Sequence, residues 1–419
     1  MKYIGALFLF TLLSTSLLAQ FKIDADLRAR YEYRHGFRTL FPDNAEAASF
    51  ISQRSRLKFS YQSDKVDFFV SAQDVRVWGN TVQLNTTDPS GIWLHEGWGK
   101  IKFTPSLSLK VGRQELNYDD ARILGNVDWV MQARSHDAAV FLFEKNAWKI
   151  HVGGAYNQTA EGLLNNAYTL KNYKTMQYAW FNRSWESFKA SVLVLNNGLQ
   201  YTNPNDASKY EIRFSQTYGT HLKWNKGAFG LIGNAYYQLG EDVAGAHVNA
   251  YNGSLEANYK KEKWNAGLGY ELLSGDNTNT TRTNESFTPF YGTNHKFNGL
   301  MDYFYVGNHI GGPGLQDIYV KAGVKIKSKA AISMAFHNFS VAADFAPNTS
   351  RYLGNELDVV VAYPLNPSVV FKAGYSQLWA EKGMEVLKAS ADGNVNNWGW
   401  VMVVVKPNLF NSENLKKDE

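Results

Sequence analysis

From Phe21 to His35 the chain alternates without a break. Phe21, Ile23, Ala25, Leu27, Ala29, Tyr31 and Tyr33 hold one parity, and Lys22, Asp24, Asp26, Arg28, Arg30, Glu32 and Arg34 hold the other. Period two puts these sets on opposite faces of a β-strand, whereas helical spacing would mix charged and apolar groups around the cylinder. A strand of about 15 residues far exceeds the roughly 5 or 6 of soluble sheets, and about 9 to 11 suffice to cross the hydrocarbon of a bilayer. An edge strand of a soluble sandwich would explain the alternation but not the length.

Ahead of this strand, Lys2 is followed by an apolar and small-residue run that ends Leu17, Leu18, Ala19, the pattern of a secretory leader, so 1–19 is read as a signal peptide cleaved after Ala19. A membrane anchor would need about 20 apolar residues. With the first strand starting directly after the leader, no room is expected for a plug domain. The mean hydropathy is −0.35 and 15% of residues are aromatic, as in a barrel that hides polar side chains in its lumen and carries two aromatic girdles. Cysteine is absent, so disulfides and thiolate metal sites do not arise. A formal net charge of +5 is mild, so selectivity must come from the placement of charge.

Short breaks at 63–65, 104–106, 145–147, 185–187, 225–227, 260–263, 328–329 and 364–368 alternate with longer polar segments. Apart from one gap, the short breaks recur at about 40 residues, the period of one long hairpin in an up-and-down barrel, and together with the longer segments they join about 18 strands. Propeller blades would need four short strands per period, and helical repeats a period of 3.6. The expectation is therefore an all-β transmembrane barrel over 20–410, with both termini periplasmic and a polar tail over 411–419. Lys65–Trp78 and Asp128–Glu144 lose the alternation midway, which predicts a β-bulge in each.

Burying Lys or Arg at the bilayer midplane costs about 2 to 4 kcal/mol, so the charged parity must face the lumen. This assigns Arg28, Arg30, Arg34, Arg54, Arg56 and Lys58 to one wall, and Arg213 and Lys321 to others. A guanidinium binds carboxylate or phosphate through paired hydrogen bonds, which suggests a path for anionic solutes. The competing reading is a self-neutralising ladder that stiffens the wall, least so for Arg54, Arg56 and Lys58, whose strand face carries no acid. Asp119, Asp120 and Asp128 are read as a solvated loop cluster rather than a divalent-cation site. No nucleophile, base and orienting acid lie close together, so no catalytic residue is assigned. No cofactor, metal or nucleic-acid partner is expected.

The segment VGRQELNYDDARILGNVDWVMQARSHDAA, Val111 to Ala139, resembles the signature of the bacterial alginate export family of outer-membrane barrels. QDVRVWG (73–79) and FYGTNHKFNGLMDYF (290–304) look like the same family. The resemblance implies a monomeric barrel whose arginine-rich constriction passes an anionic polyuronate, and it carries Arg76, Arg113, Arg122 and Arg134 over as lumen or constriction residues. It leaves room for a periplasmic secretion partner.

Residues 274–316 form a segment far longer than ordinary loops and rich in aromatics, unlike disordered chain. It is expected to fold inward as a lid, with Arg282, His295 and Lys296 available to an anion. The whole reads as a passive outer-membrane channel for anionic solutes of the acidic poly- or oligosaccharide class. The alternative is a general anion-selective porin for small-solute uptake.

Overall fold

A computed structural model describes residues 19–84, 91–164, 168, 172–206, 209–277, 283–326, 329–390 and 394–415. All of the expected leader but Ala19, and the loop cation Arg282, fall outside these residues. Among the described residues the chain forms a closed antiparallel barrel of 18 strands. In chain order they are β1 (Gln20–His35), β2 (Ala48–Gln62), β3 (Val66–Val77), β4 (Trp93–Lys102), β5 (Leu107–Gln114), β6 (His136–Lys145), β7 (Trp148–Tyr156), β8 (Thr175–Ser184) and β9 (Phe188–Thr202). The second half comprises β10 (Tyr210–Lys226), β11 (Phe229–Glu241), β12 (His247–Lys261), β13 (Trp264–Leu273), β14 (Leu315–Ile326), β15 (Ala330–Ser340), β16 (Tyr352–Asn366), β17 (Val369–Ala380) and β18 (Asn396–Val405). β1 closes the barrel on β18, from Leu27 opposite Val405 to His35 opposite Asn397.

The polarity is inside out. Asp26, Arg28, Arg30 and Glu32 are buried in the lumen, while Phe21, Leu27, Tyr31 and Tyr33 on the other parity are exposed. Such an exterior is stable only against lipid, and a closed barrel satisfies the backbone there without an open edge. Short turns close one end and the long segments the other, which sets the periplasmic and extracellular rims.

The bulges differ from expectation. β3 pairs with β2 without interruption, and its irregularity lies where β4 meets Ser71 and Ala72, with His95 as the extra residue. In Asp128–Glu144 the alternation fails for another reason: the strand starts only at His136, and the preceding residues are an inward loop. Gly112, in the GRQ element, has φ 125°, and a Cβ there would lie 2.3 Å from the Gly97 carbonyl, so only glycine lets β5 close on β4. The final strand stops at Val405. Asn408–Asn411 then pairs separately with the start of β1, beyond Pro407, which cannot donate to the ladder.

Candidate functional site

The wall formed by β1 and β2 is mostly ion-paired. Arg54 is fully buried and reaches Asp26 across the strand pair at 2.7 Å and Asp128 at 2.9 Å. It has two acidic partners although none shares its strand face, because they come from β1 and from a distant loop. Arg28 holds the same Asp128 at 2.9 Å. Arg30 and Arg34 both clamp Glu32, each at 2.8 Å. Most of this ladder is internally neutralised.

Asp128 belongs to the segment 115–135, which leaves β5 at Gln114 and crosses the lumen before β6. Its polar residues are tethers. Asp119 accepts from Trp180 and Ser191, and Asp120 accepts from Asn234. Arg122 pairs with Glu271 at 2.6 Å on the far wall. Trp129 lies under the Arg30 guanidinium at 4.1 Å and packs edge-on against Trp398 and Trp400. The three aspartates therefore anchor the loop to opposite walls and do not form a solvated cluster.

The long segment also enters the barrel and interlocks with this loop. Gly125 N donates to the Tyr291 carbonyl (2.9 Å), Thr293 N to Ala121 (2.8 Å) and Lys296 Nζ to Asp120 (2.7 Å). Farther on, Leu300 N and Met301 N donate to Asp358 and Glu356 of β16. Tyr303 hydrogen-bonds the Gly36 and Thr39 carbonyls in the extracellular loop that follows β1. A cavity of about 680 Å³ opens toward the periplasmic turns beside Lys223, Lys296 and Lys321, and one of about 740 Å³ lies on the extracellular side beside Tyr173 and Tyr291. The interlocked segments separate them and form the constriction.

The sequence-assigned residues are placed unevenly. Arg122 and Arg134 belong to the inward loop, with Arg134 donating to the Gly292 carbonyl. Arg213 faces the lumen near the extracellular rim and is engaged by Glu211, and Lys321 pairs with Glu256 at 2.9 Å. Arg76 and Arg113, assigned to the lumen, point outward instead. Arg76 lies opposite Gln53 and pairs with Asp74 on the exterior parity. Arg113 lies opposite Gly97, on the face of exposed Val111, and meets Asp137 at 3.0 Å. Both stand at the extracellular ends of their strands, where the apolar band gives way. His295 is not available to an anion, since it is buried against Asp302 at 2.5 Å and stacked on Trp129.

Among the described residues, Arg56, Lys58, Lys110 and Lys372 face the lumen without an ion pair. Arg56 bonds only the neutral amide of Gln73, and Lys110 lies over the Trp98 ring at 4.1 Å. On β2 these cations lie one and two lumenal rows periplasmic of Arg54, just below the inward loop. Lys110 and Lys372 escaped sequence reasoning, although Lys372 alternates with Val370 and Gly374 on one parity of β17.

Burial alone would raise the Asp128 carboxyl, but Arg28 and Arg54 hold it well below the usual carboxylate range. A depressed native pKa gives stabilisation that is full above about 3.9 and is lost only as pH falls through the native value. Wild-type single-channel traces should therefore keep the same opening pattern at pH 4.5 as at pH 7. A pH 4.5 trace resembling that of Asp128→Asn would overturn this assignment.

A closed antiparallel barrel with an apolar exterior, a charged lumen and inward constriction loops defines an outer-membrane channel of the porin type, in the outer membrane of a Gram-negative bacterium. The chain belongs to the alginate export family, whose model matches residues 19–384. Solved structures with the same fold include the outer membrane protein OpdK from Pseudomonas aeruginosa, at 12% identity and TM-score 0.62, covering 93% of this chain and 98% of that one. OccAB4 from Acinetobacter baumannii aligns at 13% identity and TM-score 0.63, with the same coverage. No curated protein sequence matches the chain.

Proposed function

We propose that this barrel passes anionic solutes passively, with acidic oligo- or polysaccharides as the preferred class. The observation that carries this reading is the group of unpaired lumenal cations, Arg56, Lys58, Lys110 and Lys372, beside a ladder whose other arginines are neutralised. An anion moving along this wall meets positive charge that no carboxylate among the described residues has claimed, in a confined space that strengthens the attraction. Arg28, Arg30 and Arg54 position the constriction loop. The smaller-solute reading, a general anion porin, draws support from the interlocked loops that divide the lumen into separate cavities.

Planar-bilayer recording with added uronate oligomers distinguishes the two. For the saccharide reading, the blocking constant should tighten with each added uronate unit until the oligomer spans the cation row, and weaken about tenfold in Arg56→Gln with Lys58→Gln. Block by a monomer as strong as by a hexamer would favour the small-anion reading. Cation selectivity would reject both.

A further inference from the structure

The outer surface at the periplasmic rim carries a basic and aromatic row unconnected with the pore. Lys145 lies opposite Trp148, and Trp148 lies opposite Arg183, so the three residues line up across β6, β7 and β8 on the outward parity. The next outward row is wholly apolar: Phe143, Ile150, Phe181 and Val192. The basic row thus sits one step outside the hydrocarbon band, at headgroup depth. The Arg183 guanidinium is held between two indoles, 4.7 Å from the Trp148 ring centre and 4.9 Å from that of Trp185. Its buried Nε has no hydrogen-bond partner, and neither Arg183 nor Lys145 makes an ion pair among the described residues. The adjacent Glu144 faces the lumen, where Lys149 holds it at 3.0 Å.

We propose that Lys145, Trp148, Arg183 and Trp185 bind the phosphate headgroup of an anionic phospholipid in the periplasmic leaflet. The indoles fix the guanidinium in one orientation, leaving its planar edge to a phosphate through paired hydrogen bonds. Two strand spacings put Lys145 and Arg183 about 10 Å apart at their Cα atoms, within reach of one headgroup from both sides. The acyl chains then run along Phe143, Phe181 and Val192.

Native mass spectrometry of the full-length barrel in detergent, titrated with phosphatidylglycerol and phosphatidylethanolamine, tests this. The wild type should prefer phosphatidylglycerol, and Lys145→Gln with Arg183→Gln should weaken its tightest binding at least about tenfold and abolish the preference. Lys209→Gln, a charge loss at the opposite rim, should bind like the wild type. Folding of each variant is checked by its heat-dependent mobility on gels. The proposal fails if the double variant keeps the preference, if Lys209→Gln loses it equally, or if millimolar inorganic phosphate displaces the lipid.

Discussion

Asp128→Asn should turn a quiet channel into one that flickers to larger conductance levels. Asp128 is the sole ion-pair partner of Arg28 among the described residues and the loop-side partner of Arg54, so the change removes the ionic hold of the β1–β2 wall on segment 115–135 and leaves it the Arg28 and Arg30 bonds to the Asp128 and Trp129 carbonyls. Breaking a fully buried pair costs about 3 to 5 kcal/mol. The Asp128 side chain remains 42% exposed, and solvent screening reduces the loss to about 1 to 3 kcal/mol of docking. That raises the undocked population roughly 5- to 150-fold. The barrel ladder is untouched, so heat-dependent gel mobility should match the wild type. An unchanged current trace would mean that the far-wall tethers, Arg122 to Glu271 and Asp119 to Ser191, and the wall's bonds to the Asp128 and Trp129 carbonyls hold the loop without the carboxylate.

The second large effect concerns selectivity. Lys58→Glu combined with Lys372→Glu reverses two lumenal charges that have no ion-pair partner among the described residues, so folding should be little affected while the row of Arg56, Lys58, Lys110 and Lys372 goes from four positive charges to no net charge. The reversal potential under a salt gradient should move from the anion side toward zero. An unmoved potential would reject this wall as the path. Ions would then pass through the cavity beside Lys223, Lys296 and Lys321.

The barrel itself was legible in the sequence because each of its signals is local. Period-two alternation in Phe21–His35 and the contrast of short turns with long segments depend only on near neighbours. The constriction was not legible for the opposite reason. Asp128 meets Arg28 across 100 positions and Arg122 meets Asn298 across 176, and no spacing rule links such partners. Arg76 and Arg113 were misplaced because motif resemblance identifies a residue without its facing. Arg113 shares a parity with Val111 and Leu109, so its facing was readable, whereas Arg76 follows the point where Lys65–Trp78 loses its alternation, and only the unbroken pairing with β2 keeps it on the outward parity of Phe68 and Val70. Tyr303 and Phe304, by contrast, were visible as aromatics too numerous for disordered chain.

β5 has 8 residues and β10 has 17, because the chain leaves the wall early to build the constriction. At the usual barrel tilt, about 8 residues fall short of a strand that spans the hydrocarbon. Beside Arg113 and Asp137 the bilayer must thin or the whole barrel must lean. Either response imposes hydrophobic mismatch on one sector of the lipid annulus. The inward loop therefore gives the protein a preferred side in the plane of the membrane, a flank where neighbouring proteins with short spans would relieve the deformation by gathering.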